Sequence, residues 1–167
     1  MLDLKFQLAK KSDLDKIFEM YTDAIKEMEK NNIHQWDELY PDKEILEEDI
    51  EKQEMYLAFD DDKVVAAYVL NEVCDEEYLD GEWKFPDASF SVIHRLCVNP
   101  KYQRCGVGSK TVKYIEDKVK LKGIESIRLD TFTLNPYSLR MYDKLGYKKV
   151  GMVHWRKGDF YLMEKRL

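Results

Sequence analysis

The feature that most constrains the fold is a short turn with two glycines, which joins an apolar run to an amphipathic stretch. Residues 90–98 are apolar enough to form a buried strand, and Asn99-Pro100 ends it. Residues 107–121 follow with apolar side chains at helical spacing, namely Val107, Val112, Ile115 and Val119. Residues 125–131 then alternate as another strand. A strand, a helix and a strand in this order predict a sheet covered by helices.

The rest of the chain divides into elements of the same two kinds. Apolar or alternating runs predict further strands at residues 4–8, 55–59, 64–70, 147–153 and 160–163. Helical periodicity and capping residues predict further helices at residues 12–30, 41–53 and 135–145. The predicted order is β-α-α-β-β-β-α-β-α-β-β, an α/β (α+β) fold with one mixed central sheet flanked by helices. Residues 72–87 show no period and are predicted to form a long surface loop.

Length and composition fit a single domain. The chain has 167 residues, 44% of them hydrophobic, so we predict one domain over residues 1–167. It has neither an apolar run long enough for a membrane span nor a secretory signal at its N-terminus, which predicts a cytoplasmic protein with no membrane partner. The three cysteines, Cys74, Cys97 and Cys105, form no C-x-x-C pair, so neither a disulfide framework nor a metal site is expected.

The net charge of −6 conceals an uneven distribution. Residues 1–90 hold 10 Lys and Arg against 26 Asp and Glu, a sum of −16, whereas residues 91–167 hold 17 against 7, a sum of +10. Such a division suits a cationic acceptor on one side and a polyanionic cofactor on the other. Two solvated faces that attract each other explain it equally well. The acidic balance argues against a nucleic-acid partner.

The turn within residues 98–109 has the chemistry of an anion-binding site. Backbone N–H groups without intrahelical partners, and the positive end of the helix dipole, lie where a helix begins. Gly106 and Gly108 carry no Cβ that would hold a phosphate away from those N–H groups, and Lys101 and Arg104 add positive charge. This pattern favours a diphosphate as the ligand. An ordinary helix start that happens to contain glycine is the alternative.

The spacing within the turn separates the ligand classes that use such sites. A P-loop would need glycine where Gln103 stands and lysine where Ser109 stands. A dinucleotide-binding turn that began at Gly106 would need a third glycine where Thr111 stands. A nucleotide-phosphate enzyme is therefore the least favoured interpretation.

Two motifs together resemble a known family. Gln103-x-x-Gly106-x-Gly108 resembles the pyrophosphate turn of the GNAT superfamily of acyl-CoA N-acyltransferases, Gln/Arg-x-x-Gly-x-Gly/Ala. Residues 135–147 resemble the family's second block, with Asn135, Ser138, Tyr142, Gly146 and Tyr147 at the specified positions. The resemblance extends over essentially the whole chain and is faintest at residues 31–54 and 72–87, where we expect the acceptor to bind.

The resemblance implies that acetyl-CoA binds as the acyl-donor cosubstrate, without a metal. Its pantetheine arm is expected to pair with the backbone of strand 90–98, and its pyrophosphate to lie on the glycine turn. Asn135 is expected to cap its helix and to hydrogen-bond the arm. The cofactor-binding residues implied in this way are Leu96, Cys97, Val98, Gln103, Arg104, Cys105, Gly106, Val107, Gly108, Ser109, Asn135, Ser138 and Tyr142.

The resemblance also implies catalytic roles. The backbone amide of Leu96 is the candidate donor to the thioester oxygen, and Tyr142 is the candidate general acid that protonates the departing thiolate. The alternative is that Tyr142 only packs against its neighbours and has no catalytic role. Strand 90–98 has no Asp or Glu, so His94 is the candidate base, against the alternative of a hydrogen-bonded core histidine. Cys97 is interpreted as a core residue, because direct acyl transfer needs no covalent intermediate.

The predicted function is N-acetyl transfer from acetyl-CoA to a primary amine by direct attack. A small-molecule amine or a peptide amine is compatible as the acceptor, because specificity lies in loops whose chemistry does not follow from the sequence. A non-catalytic acyl-CoA sensor is the alternative, and the absence of a carboxylate in strand 90–98 favours it. Pairing of the aromatic final strands across a homodimer is one open possibility for assembly.

Overall fold

A computed structural model describes residues 2–167 and confirms the predicted order of elements. The strands are β1 Leu4–Leu8, β2 Met55–Asp60, β3 Lys63–Asn71, β4 Phe90–Val98, β5 Ser126–Phe132, β6 Lys148–Trp155 and β7 Gly158–Arg166. The α-helices are α1 Leu14–Lys30, α2 Lys43–Glu51, α3 Val107–Leu121 and α4 Pro136–Lys144. Short 3-10 helices lie at Lys11–Asp13, Glu76–Asp80 and Pro100–Tyr102. Within the described residues, no helix is both long and apolar enough to span a bilayer.

The strands form one mixed sheet, as predicted. Over residues 2–167 it has seven strands in the order β1-β2-β3-β4-β5-β7-β6. Strand β4 pairs with β5 in parallel, through the partners Phe90 and Ser126, Ser91 and Ile127, and Val92 and Arg128. The pairs β1 with β2, β2 with β3, β5 with β7 and β6 with β7 are antiparallel. The fold class is therefore the predicted α/β class.

The described residues pack as two compact units, and the prediction of a single domain stays a prediction. The first unit contains the chain up to Leu70 together with Arg95–Thr111. In it an apolar cluster joins the inner faces of α1 and α2 to β2 and β3. Its members without exposed surface include Ile17, Tyr21, Leu46, Met55 and Leu57. Burial of these side chains orders the two helices, since each contributes about 1.5–3 kcal/mol of transfer free energy.

The second unit contains Asn71–His94 and Val112–Leu167. Strands β6 and β7 form a hairpin that closes at Trp155 and Gly158. The inner positions of β5 and β7 are buried, with Ile127, Leu129 and Leu162 at most 1% exposed. The part of the predicted apolar face of α3 that lies in this unit is buried as well, since Val112, Ile115 and Val119 are at most 3% exposed. Val107, in the first unit, is 1% exposed.

Some details differ from the sequence-based predictions. Residues 12–15 were expected to supply the N-cap of α1, but the Asp13 side chain does not cap the helix; its carboxylate accepts the backbone N–H of Lys10 at 2.8 Å, and a 3-10 turn precedes the helix. Residues 72–87 do not lie wholly on the surface, because Tyr78 is 1% exposed. Its hydroxyl donates to the Asp130 carboxylate at 2.7 Å, which anchors the segment. The sequence did not predict this contact, because the residues around Tyr78 are acidic and show no periodic pattern.

Candidate active site

Strand β4 bends at Arg95. The residue has a φ of +50°, in the left-handed region that costs a non-glycine residue about 1–2 kcal/mol. After the bend, Leu96 and Val98 are half-buried and Cys97 is 2% exposed. The backbone N–H of Asn99 then donates to the carbonyl of Val65 at 2.8 Å, which fixes the end of the strand. The segment predicted to receive the pantetheine arm therefore has a defined, bent backbone.

The side chain of Arg95 is held by two partners in the same unit, the buried Asp49 and the exposed Tyr40. Its Nε and Nη2 donate to the two carboxylate oxygens of Asp49 at 2.9 and 2.6 Å, and its Nη1 donates to the hydroxyl of Tyr40 at 2.9 Å. Burial raises the pKa of the Asp49 carboxyl, although the guanidinium beside it acts in the opposite direction. A buried pair whose desolvation cost exceeds its attraction adds little net stability. Its effect here is to fix the position of Arg95.

The glycine turn connects β4 to α3 within the first unit. Asn99 Oδ1 accepts the N–H of Lys101 at 3.1 Å and thereby caps the 3-10 helix at Pro100–Tyr102. Arg104 and Gly106 follow with φ of +63° and +80°, and both are exposed, as is Gln103. A Cβ built on Gly106 would meet no protein atom within 4 Å, so the glycine meets a backbone requirement and leaves open space before α3. The turn is thus open at the start of α3, and its role as an anion-binding site stays a prediction.

Helix α4 begins as predicted, with Asn135 as its N-cap. Asn135 is 7% exposed, and its Oδ1 accepts the N–H of Ser138 at 3.2 Å. One turn further on, Tyr142 is 6% exposed and packs edge-on against the ring of Tyr147, with centroids 5.3 Å apart. Burial, and then the negative charge of Asp130, raise the pKa of Tyr142. Its phenol therefore keeps its proton at neutral pH, the state that a proton donor requires.

The His94 ring has a defined hydrogen-bonding side. Its Nε2 lies 2.8 Å from Oδ1 of Asn71 and 3.1 Å from the carbonyl oxygen of Val73. A backbone carbonyl can only accept, so Nε2 must carry a proton. In the neutral imidazole the basic lone pair is then on Nδ1. The ring is therefore hydrogen-bonded through Nε2, and its role as a base stays a prediction.

Asp130 is a candidate that the sequence analysis missed. It lies near the end of β5, accepts the Tyr78 hydroxyl at 2.7 Å, and is close enough to Tyr142 for its charge to raise that residue's pKa. A carboxylate within a buried strand requires partners, and that signal was available in the sequence. The carboxylate alone did not reveal which residue pairs with it, because its partner Tyr78 lies 52 residues away in the chain.

Cys97 behaves as the sequence analysis predicted. Burial raises the pKa of its thiol, which disfavours the thiolate that a nucleophile needs. Among residues 2–167, no group of three or more His, Cys, Asp or Glu side chains is arranged to hold a metal ion.

A comparison with sequence models of known protein families identifies the family of the chain. The sequence model described as "Acetyltransferase (GNAT) family" matches residues 16–147, which is most of the chain. The protein belongs to the GNAT family. Membership confirms the predicted family and the predicted class of enzyme, an acetyltransferase.

Individual proteins that are similar to this GNAT protein are also named as acetyltransferases. A Staphylococcus aureus Mu50 crystal structure assigned as an acetyltransferase is 32% identical, with a TM-score of 0.76, and the match covers 96% of this chain and 97% of that one. The Bacillus subtilis N-acetyltransferase YvbK is 26% identical over 75% of each chain. The structure of yncA from Salmonella typhimurium with its cofactor acetyl-CoA has a TM-score of 0.69 at 16% identity, over 98% of this chain and 94% of that one, and shows the fold alone.

One further match is short. Probable N-acetyltransferase 14 of Xenopus tropicalis is 33% identical over 63 residues, which span 38% of this chain and 31% of that protein.

The predicted site residues of this GNAT protein fall in both units. Leu96 to Ser109 belong to the first, where they form one continuous bend and turn. His94, Asn135, Ser138 and Tyr142 belong to the second, where Asn135 and Ser138 are hydrogen-bonded to each other. The roles assigned to these residues stay predictions.

The contacts of His94 predict its tautomer. Because Nε2 faces two acceptors, nitrogen NMR of the ¹⁵N-labelled protein above the pH at which the ring titrates should show a protonated Nε2 and an unprotonated Nδ1 for His94. His154 is the internal comparison, since its Nδ1 lies 2.7 Å from the Asp159 carboxylate and should carry the proton instead. A His94 ring protonated on Nδ1 would contradict the prediction.

Proposed function

We propose that this protein transfers the acetyl group of acetyl-CoA to a primary amine by direct attack. The amine nitrogen bonds to the thioester carbon, the carbon–sulfur bond breaks, a base takes a proton from the nitrogen, and an acid gives a proton to the thiolate. The observation that carries the proposal is the exposed turn at the start of α3, with Gly106 at φ +80° and open space around it. Family membership supports it, and so does the acetyl-CoA bound to the related fold of yncA.

We assign the cofactor to the residues of the turn and to two further segments. The backbone N–H groups at residues 103–109 bind the pyrophosphate, with the helix dipole of α3 and the charge of Arg104 favouring the anion. The backbone of residues 96–98 pairs with the pantetheine arm, as an added strand would. Asn135 hydrogen-bonds the arm from the start of α4. The Leu96 amide donates to the thioester oxygen as negative charge develops there.

The turn can be tested by calorimetric titration with acetyl-CoA, ATP and NAD. We expect the wild-type protein to bind acetyl-CoA alone, and Gly106→Ala to weaken binding about tenfold or more, because a Cβ enters the path of the pyrophosphate and the left-handed backbone is disfavoured.

Gly123 provides the matched control for that titration. It has a φ of +82°, and its Cβ would also meet nothing within 4 Å, but it lies beyond the other end of α3. Gly123→Ala should cost the same backbone strain and leave acetyl-CoA affinity unchanged. Equal affinity in both variants would remove the turn from the binding site, and failure of the wild-type protein to bind would remove the whole assignment.

Tyr142 is assigned as the general acid. Burial keeps its phenol protonated, and its ring is fixed against Tyr147, so the hydroxyl has a defined position. A donor in that state lowers the barrier to departure of the thiolate. The alternative role, packing alone, uses only the ring.

Replacement of Tyr142 by phenylalanine separates these roles, since the ring stays and the hydroxyl is lost. We expect kcat with an amine panel to fall by about 10²-fold or more, with the dissociation constant for acetyl-CoA nearly unchanged. Tyr147→Phe is the control, because it removes a neighbouring buried hydroxyl that donates to Glu116 at 3.1 Å. If Tyr142→Phe turns over as fast as Tyr147→Phe, Tyr142 only packs.

His94 is assigned as the base. Its Nε2–H donates to Asn71 and Val73, so Nδ1 is the atom of the neutral ring that accepts a proton from the attacking amine, directly or through a water. Asp130 is the competing candidate, because its carboxylate lies close to Tyr142 and is oriented by the Tyr78 hydroxyl.

The pH dependence of kcat/KM decides between them. A base must be unprotonated, so kcat/KM should rise with pH through the pKa of that base and then level off. We expect His94→Gln to remove this rise and Asp130→Asn to keep it. Loss of the rise in Asp130→Asn, with its persistence in His94→Gln, would transfer the role to Asp130.

The finer properties of the function stay predictions. A cationic small-molecule amine or a peptide amine fits the excess of acidic side chains, of which Glu72, Asp75, Glu76 and Glu77 are exposed in the second unit. We likewise propose a cytoplasmic location and a homodimer formed through the last strands. Strand β6 is at the edge of the sheet, which is where such pairing would occur.

A further inference from the structure

The peptide that joins Arg95 to Leu96 is held from one side by a buried tyrosine. The hydroxyl of Tyr21, on α1, donates to the carbonyl oxygen of Arg95. Tyr21 has no exposed surface and lies in the apolar cluster of the first unit, with its ring centroid 5.6 Å from that of Trp36. Neither water nor side-chain motion therefore competes easily for this hydrogen bond.

The orientation of one end of a peptide plane fixes the other end. In a trans peptide the carbonyl and the following N–H lie in one plane and point in opposite directions. A hydrogen bond to the carbonyl of Arg95 therefore sets the direction of the Leu96 N–H. It also withdraws electron density from the carbonyl, which strengthens the same peptide's N–H as a donor.

The left-handed conformation makes this control necessary. Arg95 has a φ of +50°, a conformation that a non-glycine residue keeps only when its surroundings hold it. Asp49 and Tyr40 hold the guanidinium, but those contacts act at the far end of a flexible side chain. The hydrogen bond from the Tyr21 hydroxyl, by contrast, acts on the peptide itself.

We propose that Tyr21 is the positioning residue that aims and polarises the Leu96 amide toward the thioester oxygen, an inference that rests on the role assigned to that amide in the proposed function. Tyr21 does not touch the substrate; it acts through one peptide plane. Burial raises the pKa of the Tyr21 phenol well above its usual value, so the hydroxyl remains a donor over the whole range in which an acetyltransferase can be assayed.

The test compares Tyr21→Phe with the wild-type protein, using acetyl-CoA labelled with ¹³C at its thioester carbonyl. Isotope-edited infrared spectroscopy measures the carbonyl stretch of the bound cofactor, which falls in frequency as the amide hydrogen bond strengthens. We expect a lowered frequency in the wild-type complex, a frequency closer to that in water for Tyr21→Phe, and a kcat about tenfold lower with KM for acetyl-CoA within about twofold.

Tyr68→Phe is the matched control, since Tyr68 is a buried tyrosine of the same unit, 2% exposed, whose ring stacks on that of Tyr56. It should leave kcat and the carbonyl frequency at their wild-type values. Should Tyr21→Phe not fold, 3-fluorotyrosine at position 21 keeps the ring and makes the hydroxyl a stronger donor, and the frequency should then fall further.

The outcomes separate this inference from the proposed function. A lowered frequency in the wild-type complex that persists unchanged in Tyr21→Phe, or that does not respond to 3-fluorotyrosine, overturns the positioning role and leaves the Leu96 assignment intact. A wild-type complex whose carbonyl frequency equals that in water overturns the Leu96 assignment and the positioning role together. Loss of thermal stability in Tyr21→Phe with unchanged kcat assigns Tyr21 to the core alone.

Discussion

The first unit is organised by the requirement to hold an unfavourable backbone conformation in place. Arg95 sits in the left-handed region within a strand, and its charge, side-chain hydrogen bonds and carbonyl are satisfied by residues of three different segments. Tyr21 comes from α1, Tyr40 from the connection between the helices, and Asp49 from α2. Because the contacts with Tyr21 and Asp49 are half-buried, a shift of α1 or α2 would leave a polar group with less access to water unsatisfied, whereas the contact with Tyr40 is exposed. The bend thus specifies how both helices dock.

The pair of Arg95 and Asp49 fixes the geometry of the bend at a cost in desolvation free energy. Burial raises the pKa of the Asp49 carboxyl even beside Arg95, so the desolvation of the carboxylate offsets part of its attraction to the guanidinium. Proteins retain such arrangements where position matters more than the free energy of unfolding. A segment expected to present backbone groups to a thioester is a place of that kind.

The sequence predicted the elements that depend on local pattern. The bounds of β4 and α3 agree with the predicted residues 90–98 and 107–121, because apolar periodicity, Asn99-Pro100 and the glycines mark both ends. It predicted β7 too short, since residues 164–166 are charged; the structure pairs them with β5, where Arg166 lies opposite Ser126. Charged residues at the end of a strand carry no local signal, so their pairing depends on the neighbouring strand.

The features of the candidate site that depend on local sequence were also predicted, and those that depend on distant residues were not. The glycine turn and the Asn135 cap are local motifs, and the structure has both. The left-handed Arg95 was missed, because its hydrogen-bonding partners Asp49 and Tyr21 lie 46 and 74 residues away in the chain.

The anchoring of residues 72–87 bears on how this protein can diverge. Tyr78 fastens the segment to Asp130, and the N–H groups of Glu82 and Lys84 bond to Val150 and Glu164. Other side chains of the segment, such as Val73, Glu76 and Leu79, face solvent. Mutations at those positions alter the surface without reaching the attachments. Evolution, or a protein engineer, can therefore vary this surface widely while the segment keeps its course.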